Sequence, residues 1–156
     1  MMLHASSVAR GEDAVLLLGP SGSGKSDLVL RLIQSGWSLV ADDQVALQAE
    51  AGELRPASPA PLAGLIEVRG LGLFGPFPRA VSPVLRLVAR LLPRAEIPRL
   101  PEPERWSAEG VTLPAIRLHA FDASAPAKLA LALDAALGRI AQPAGAFAPS
   151  MPRGMK

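Results

Sequence analysis

Gly19-Pro20-Ser21-Gly22-Ser23-Gly24-Lys25-Ser26 fits the pattern G-x-x-x-x-G-K-[ST] at every fixed position. The apolar run Ala14-Val15-Leu16-Leu17-Leu18 precedes it, and Leu28, Val29, Leu32 and Ile33 follow it at helical spacing. This order of strand, glycine-rich turn and helix is the context in which such a run is a phosphate-binding loop. Its glycines let backbone N–H groups and a helix N-terminus converge on phosphate oxygens, Lys25 adds a point charge, and the Ser26 hydroxyl is a Mg²⁺ ligand. Asp27 falls in the first helical turn, where the dipole favours an acid, and Gly36 marks the stop. The stretch therefore points to an α/β domain that handles a nucleoside triphosphate such as ATP, with Gly19 to Ser26 as the nucleotide site.

Composition narrows the class. The chain has 156 residues, 49% of them hydrophobic and 19% charged, enough to bury one sizeable core. Net charge is +2, and 13 of the 16 basic residues are arginines scattered along the chain, with neither a dense basic stripe nor interleaved aromatics to favour nucleic acid. With no cysteine, disulfides, zinc–thiolate sites and thiol catalysis are excluded. No apolar stretch has the length of a membrane span, and no charged-then-apolar leader opens the sequence. A cytoplasmic, ATP-using enzyme is the expectation.

Outward from the loop, Leu3 to Arg10 and Ala14 to Leu18 read as two strands joined at a turn over Arg10 to Asp13. The helix runs from about Lys25 to Gln34. Trp37 to Ala41 is a short apolar strand, and Val45 to Gln48 extends toward a turn at Ala51-Gly52. Leu65 to Arg69 alternates as a strand and leads into the glycine-punctuated run Gly70-Leu71-Gly72-Leu73-Phe74-Gly75. Val84 to Leu92 is compatible with either strand or helix. Prolines and charges make Arg94 to Glu104 an exposed loop, Val111 to Leu118 is a strand, and Ala125 to Ile140 is a helix opened near Ser124. A single domain over residues 1–141 is expected, followed by a loose Pro/Gly/Ala-rich tail over 142–156.

Asp42-Asp43 is the second chemical feature. A ten-residue helix returns about 15 Å and a five-residue strand regains about 17 Å, which brings both carboxylates back to the level of the loop. One can hold Mg²⁺ while the other faces a nucleophile; the bland alternative is a polar pair that ends a buried strand. Glu67, amid Leu65, Ile66 and Val68, either faces solvent or enters a site. His119 and His4 show no partner spacing suggestive of a metal.

Taken together, His4 ahead of the loop, the loop itself, Leu39-Val40-Ala41-Asp42-Asp43, and Ile66-Glu67-Val68-Arg69-Gly70-Leu71-Gly72-Leu73 resemble the catalytic, C-terminal domain of the HPr kinase/phosphorylase family. The last segment is similar to that family's signature and is far more specific than the loop alone. The resemblance runs in order over residues 3–140, with Val111-Thr112-Leu113-Pro114 and Lys128 to Leu133 also similar. It implies a short form without the family's N-terminal domain. The implied fold is a single P-loop domain with a mixed β-sheet and flanking helices, of the HPr kinase/PEP carboxykinase type.

The resemblance further implies transfer of phosphate from ATP, with Mg²⁺, to a serine of the HPr-type phosphocarrier, in many members reversed by inorganic phosphate, and a homo-oligomer, a hexamer. By similarity Lys25 is a catalytic phosphate ligand, Ser26 and Glu67 hold the metal, Asp43 exchanges the serine proton, Asp42 supports metal or water, and His4 is the active-site histidine. Arg99, in Ile97-Pro98-Arg99-Leu100, takes the place of the family's active-site arginine. The segment tied to dephosphorylation, Pro-Val-x-x-Gly-Arg-Asn, appears here as Pro114 to Ala123 without its Gly-Arg. A small-molecule P-loop kinase and a non-catalytic nucleotide-sensing module are the competing readings.

Overall fold

In the computed structural model, which describes residues 1–59, 61 and 63–149, the apolar run ahead of the phosphate loop is strand β3 (Asp13–Leu18), interior to a six-stranded sheet. Burial on both faces explains why it reads as continuous leucine and valine rather than alternating. Val15 and Leu17 join one core cluster, while Ala14 and Leu16 join the cluster on the opposite face.

The other elements, in chain order, are β1 (Met2–Leu3), β2 (Ala5–Arg10), then after β3 the helix α1 (Lys25–Gln34), β4 (Ser38–Ala41), β5 (Val45–Glu50), β6 (Glu53–Ala57), β7 (Ile66–Val68), β8 (Gly72–Phe74), β9 (Val84–Leu91), β10 (Glu104–Ala108), β11 (Val111–Leu118) and α2 (Ala125–Ala136). The main sheet has the order β10-β11-β9-β3-β2-β4. β3, β9 and β11 run parallel, and β4 shares their direction because β2 pairs antiparallel with both β3 and β4. The loop after β3, the acids after β4 and the turn after β11 therefore meet at one edge of the sheet.

Each face is closed by a different layer. Leu28, Val29 and Leu32 of α1 and Leu129 and Leu133 of α2 pack on one face against Val8, Leu87 and Leu118. Val45, Leu47 and Leu54 of the small sheet β1-β5-β6 cover the other against Ala5, Leu16 and Val88. Every one of these leucines is almost fully buried, and each such side chain contributes about 2 kcal/mol. The mixed sheet with flanking helices agrees with the fold expected from sequence.

One segment that the sequence left open is decided by the structure, and two others differ from the sequence reading. Val84 to Leu91 is a strand, held between β3 and β11; its burial on both faces removes the period-two signal. Glu104 to Ala108, at the boundary of an expected loop, is an edge strand paired antiparallel with β11. Its exposed polar residues resemble loop composition, as edge strands often do. The expected helix to Ile140 stops at Ala136, with Gly138 at φ 72° just beyond. Of the tail, residues 142–149 are described, with Ala146 and Phe147 packed against the helix-side core; 150–156 lie outside the described residues. No helix among the described residues is long and apolar enough to cross a membrane.

Candidate functional site

The phosphate loop ends at Gly24, whose φ of 98° places it in the left-handed region, and α1 starts at Lys25 without a side-chain cap. The first N–H groups of α1 are thus uncapped by any side chain, as an anion site requires. Ser23 Oγ, inside the loop, is buried with no hydrogen-bond partner. Lys25 is only 7% exposed. Its Nζ donates to the Gly19 carbonyl at 2.5 Å and to the Pro20 carbonyl at 3.1 Å, bracing the loop. Burial pushes its ammonium below the usual lysine range, and the nearby Asp43 and Asp42 carboxylates oppose that shift.

Asp42 and Asp43 follow β4 and serve different partners. Asp42 accepts hydrogen bonds from Ser26 Oγ at 2.9 Å and Ser6 Oγ at 2.8 Å. Burial raises its carboxyl above the usual range, while those two hydroxyls pull it back down. Asp43 stands at φ 69°, a left-handed conformation that Asp tolerates better than most residues. Its carboxylate reaches out to His4, with Oδ1 2.8 Å from Nε2, and its N–H donates to Ser6 Oγ at 3.2 Å.

Ser6 is one of the residues that sequence reasoning missed. It is fully buried on β2 and is hydrogen-bonded to both acids. The available signal was a pair of serines, Ser6-Ser7, within a strand otherwise made of small apolar residues. Ser7 has another role, donating to the Val15 carbonyl across the sheet.

Glu67 arrives from β7. Ile66 is buried in the core with α1 and Val68 packs against it, so strand alternation turns Glu67 the other way. It lines a cleft of about 560 Å³ together with Ser21, Lys25, Ser26, Asp42 and Asp43. Arg69 and Phe121 line the same cleft. Arg99 does not: it is exposed in the segment before β10, so the structure does not bring it to the residues it was grouped with. Arg69 is the arginine at the cleft instead. His119 Nδ1–H donates to the Leu92 carbonyl at 3.0 Å and belongs to the β11 turn.

Among the described residues no cluster of three His, Cys, Asp or Glu side chains could hold a metal by itself. Mg²⁺ is commonly held by one or two carboxylates plus substrate phosphates and water. Ser26, Asp42 and Glu67 supply hard oxygen donors on one side of the cleft.

Fold and cleft together define an α/β domain built on a phosphate loop with a divided acidic pair. Residues 1–75, covering the loop, both aspartates and Glu67, match the family model for the HPr Serine kinase C-terminal domain. The HPr kinase/phosphorylase of Clostridium tetani (strain Massachusetts / E88) is 48% identical over 59 residues, covering 38% of this chain and 19% of that protein. That of Bordetella pertussis (strain Tohama I) is 53% identical over 60 residues, covering 38% and 20%. The aligned stretch thus spans about a fifth of the curated relatives. The solved Hpr(Ser) kinase/phosphatase of Coxiella burnetii superposes with a TM-score of 0.77 at 25% identity, covering 89% of this chain and 98% of that one. The chain is thus similar to the HPr kinase C-terminal domain over residues 1–75, and its fold matches that of an Hpr(Ser) kinase/phosphatase over most of its length.

Proposed function

We propose that this chain is an ATP- and Mg²⁺-dependent kinase that phosphorylates a serine of an HPr-type phosphocarrier in the cytoplasm, with residues 1–141 as the catalytic unit. The observation that carries the reading is the division of the acidic pair: Asp42 is bonded to the loop serine Ser26, and Asp43 is bonded to His4 at the open side. A phosphoryl-transfer site needs that division, with one acid near the metal-bound phosphates and one near the incoming hydroxyl.

The uncapped N–H groups of α1 and Lys25 bind the β- and γ-phosphate oxygens, and nucleotide draws the Lys25 ammonium from the Gly19 and Pro20 carbonyls. Ser26, Asp42 and Glu67 would hold Mg²⁺, which would supply charge neutralisation at those oxygens. Asp43 orients the acceptor serine and takes its proton, while His4 and the Ser6 hydroxyl fix that carboxylate and its backbone in place.

The β7–β8 hairpin suits a protein acceptor better than a metabolite. It borders the cleft through Glu67, Val68 and Arg69, and it presents Leu71 and Leu73 at 74% and 65% exposure. Exposed apolar residues of this size beside a cleft mark an interaction surface. The experiment is transfer of label from γ-labelled ATP to a purified HPr-type protein, run beside a metabolite panel. Label on the protein serine is expected; label on a metabolite alone, or on nothing, would overturn the proposal.

A further inference from the structure

We infer that Phe121 is the platform on which the base of the bound nucleotide stacks. This rests on the nucleotide reading of the loop and adds to it where the base goes. The sheet order sets the geometry: β4, bearing the acids, lies two strands from β3 on one side, and β11, leading to Phe121, lies two strands away on the other. With the γ-phosphate end of a nucleotide facing Asp42, Asp43 and Glu67, its base extends along the cleft toward the opposite flank, where Phe121 is the aromatic lining residue.

The ring meets the loop directly. A Cβ built on Gly24 would stand 3.1 Å from the Phe121 ring and 2.8 Å from the Ala120 Cβ, so the backbone at the end of the loop and the β11 turn are in close contact. Yet 56% of Phe121 stays exposed, in a chain with four phenylalanines and no tyrosine. A residue that served only to pack on Gly24 would bury its ring.

The turn that carries it is held from several directions. Arg31 of α1 donates to the Ala120 carbonyl and, at 3.1 Å, to the Asp122 carbonyl, so both residues flanking Phe121 are tied to the helix that starts at the loop. Asp27 orients that guanidinium through a 3.0 Å bond from Arg31 Nε. Arg94 pairs with the Asp122 carboxylate, and His119 packs edge-to-face on Phe121 with centroids 5.8 Å apart at 66°. A fixed aromatic face loses little freedom when a base stacks on it, the condition under which stacking gains affinity.

The test compares ATP with inorganic tripolyphosphate, which carries the phosphates without a base, by calorimetric titration in the presence of Mg²⁺. Phe121→Leu keeps an apolar side chain over Gly24 and removes the π-face; Phe121→Trp keeps the π-face. Phe121→Leu should weaken ATP about tenfold and leave tripolyphosphate within about twofold, whereas Phe121→Trp should bind both as the wild type does. Equal loss of both ligands would reveal a loop-packing role and overturn the inference, as would undiminished ATP binding by Phe121→Leu. If the wild type bound tripolyphosphate but ATP no better than that, the loop would stand and the base platform would fall; if it bound neither, the nucleotide reading itself would fall.

Discussion

His4 Nε2 stands 2.8 Å from Asp43 Oδ1, joining residues 39 positions apart across the open side of the cleft. The first strands make this pairing: the bend at His4 leads into β2, β2 pairs with β4, and the Ala5 N–H donates to the Asp43 carbonyl at 3.2 Å. The histidine thus reports on the acid through sheet register rather than through any sequence spacing.

Asp43→Asn is expected to retain nucleotide binding and lose transfer to the phosphocarrier by about 10²-fold or more, the scale for removing a positioned base. Asparagine also tolerates the left-handed φ of 69°, so the backbone survives the change. Single-turnover transfer with labelled ATP, alongside calorimetric binding, separates the two effects. A larger loss of turnover in Asp42→Asn would reverse the roles given to the pair.

Ser6→Ala tests the residue that joins both acids. It should destabilise the protein by about 2 kcal/mol, because a hydroxyl bonded to a carboxylate and to an N–H disappears from a fully buried position. Transfer should fall while nucleotide affinity changes little. Denaturant unfolding and the same transfer assay measure both, and a variant of wild-type stability would remove Ser6 from this account.

Asp42 gives a pH dependence with a definite sign. Burial raises its folded carboxyl above the unfolded value of about 3.9, so in metal-free protein its contribution favours folding below that value and is lost as pH rises through the raised folded pKa. Asp42→Asn, which cannot ionise, should therefore melt at a higher temperature than the wild type at neutral pH in EDTA, with the gap closing on acidification. A gap that is constant with pH would contradict the burial argument. With Mg²⁺ and nucleotide present, only the wild type should gain stability from the metal.

Much of the site could be read from the sequence because it rests on local chemistry. The loop from Gly19 to Ser26, the helix Lys25 to Gln34 and the return of Asp42-Asp43 to the loop follow from glycine placement, helical spacing and element length. Glu67 was ambiguous in isolation, since alternation gives a strand two faces without saying which is covered; the core position of Ile66 decides it. Ser6, Phe121 and Arg69 gain meaning only once strand order is known, because non-local pairing brings Ser6 to the two acids, Phe121 to the loop and Arg69 to the cleft. Arg99 had no such support, and a resemblance in an exposed, proline-bounded segment did not place it at the cleft.

Lys25→Met should abolish transfer and remove the stabilisation that nucleotide confers. The structure adds a cost in the free protein, since the side chain is buried and donates to two loop carbonyls. Differential scanning fluorimetry with and without ATP and Mg²⁺ is the measurement. An unaltered nucleotide-induced shift would refute the loop assignment.

The last prediction concerns acceptor and direction. Gly72 sits at φ 113° with nothing near the position a Cβ would occupy, so Gly72→Val fails on backbone strain rather than on a clash, and it distorts only the exposed β7–β8 hairpin. Phosphorylation of HPr should be blocked and ATP binding spared; Leu71→Asp with Leu73→Asp, which leaves the backbone alone, should do the same by charging the apolar face. The reverse reaction, in which inorganic phosphate takes the phosphoryl group from phosphoserine to give pyrophosphate and free serine, should be slow. The segment similar to the family's dephosphorylation motif lacks Gly-Arg, its Pro114 is absorbed into β11, and its end is the turn tied down by Arg31. Rapid pyrophosphate formation from phospho-HPr would show that a cation at the cleft, Arg69 foremost, takes over that work, and Arg69→Ala would then abolish the reverse reaction.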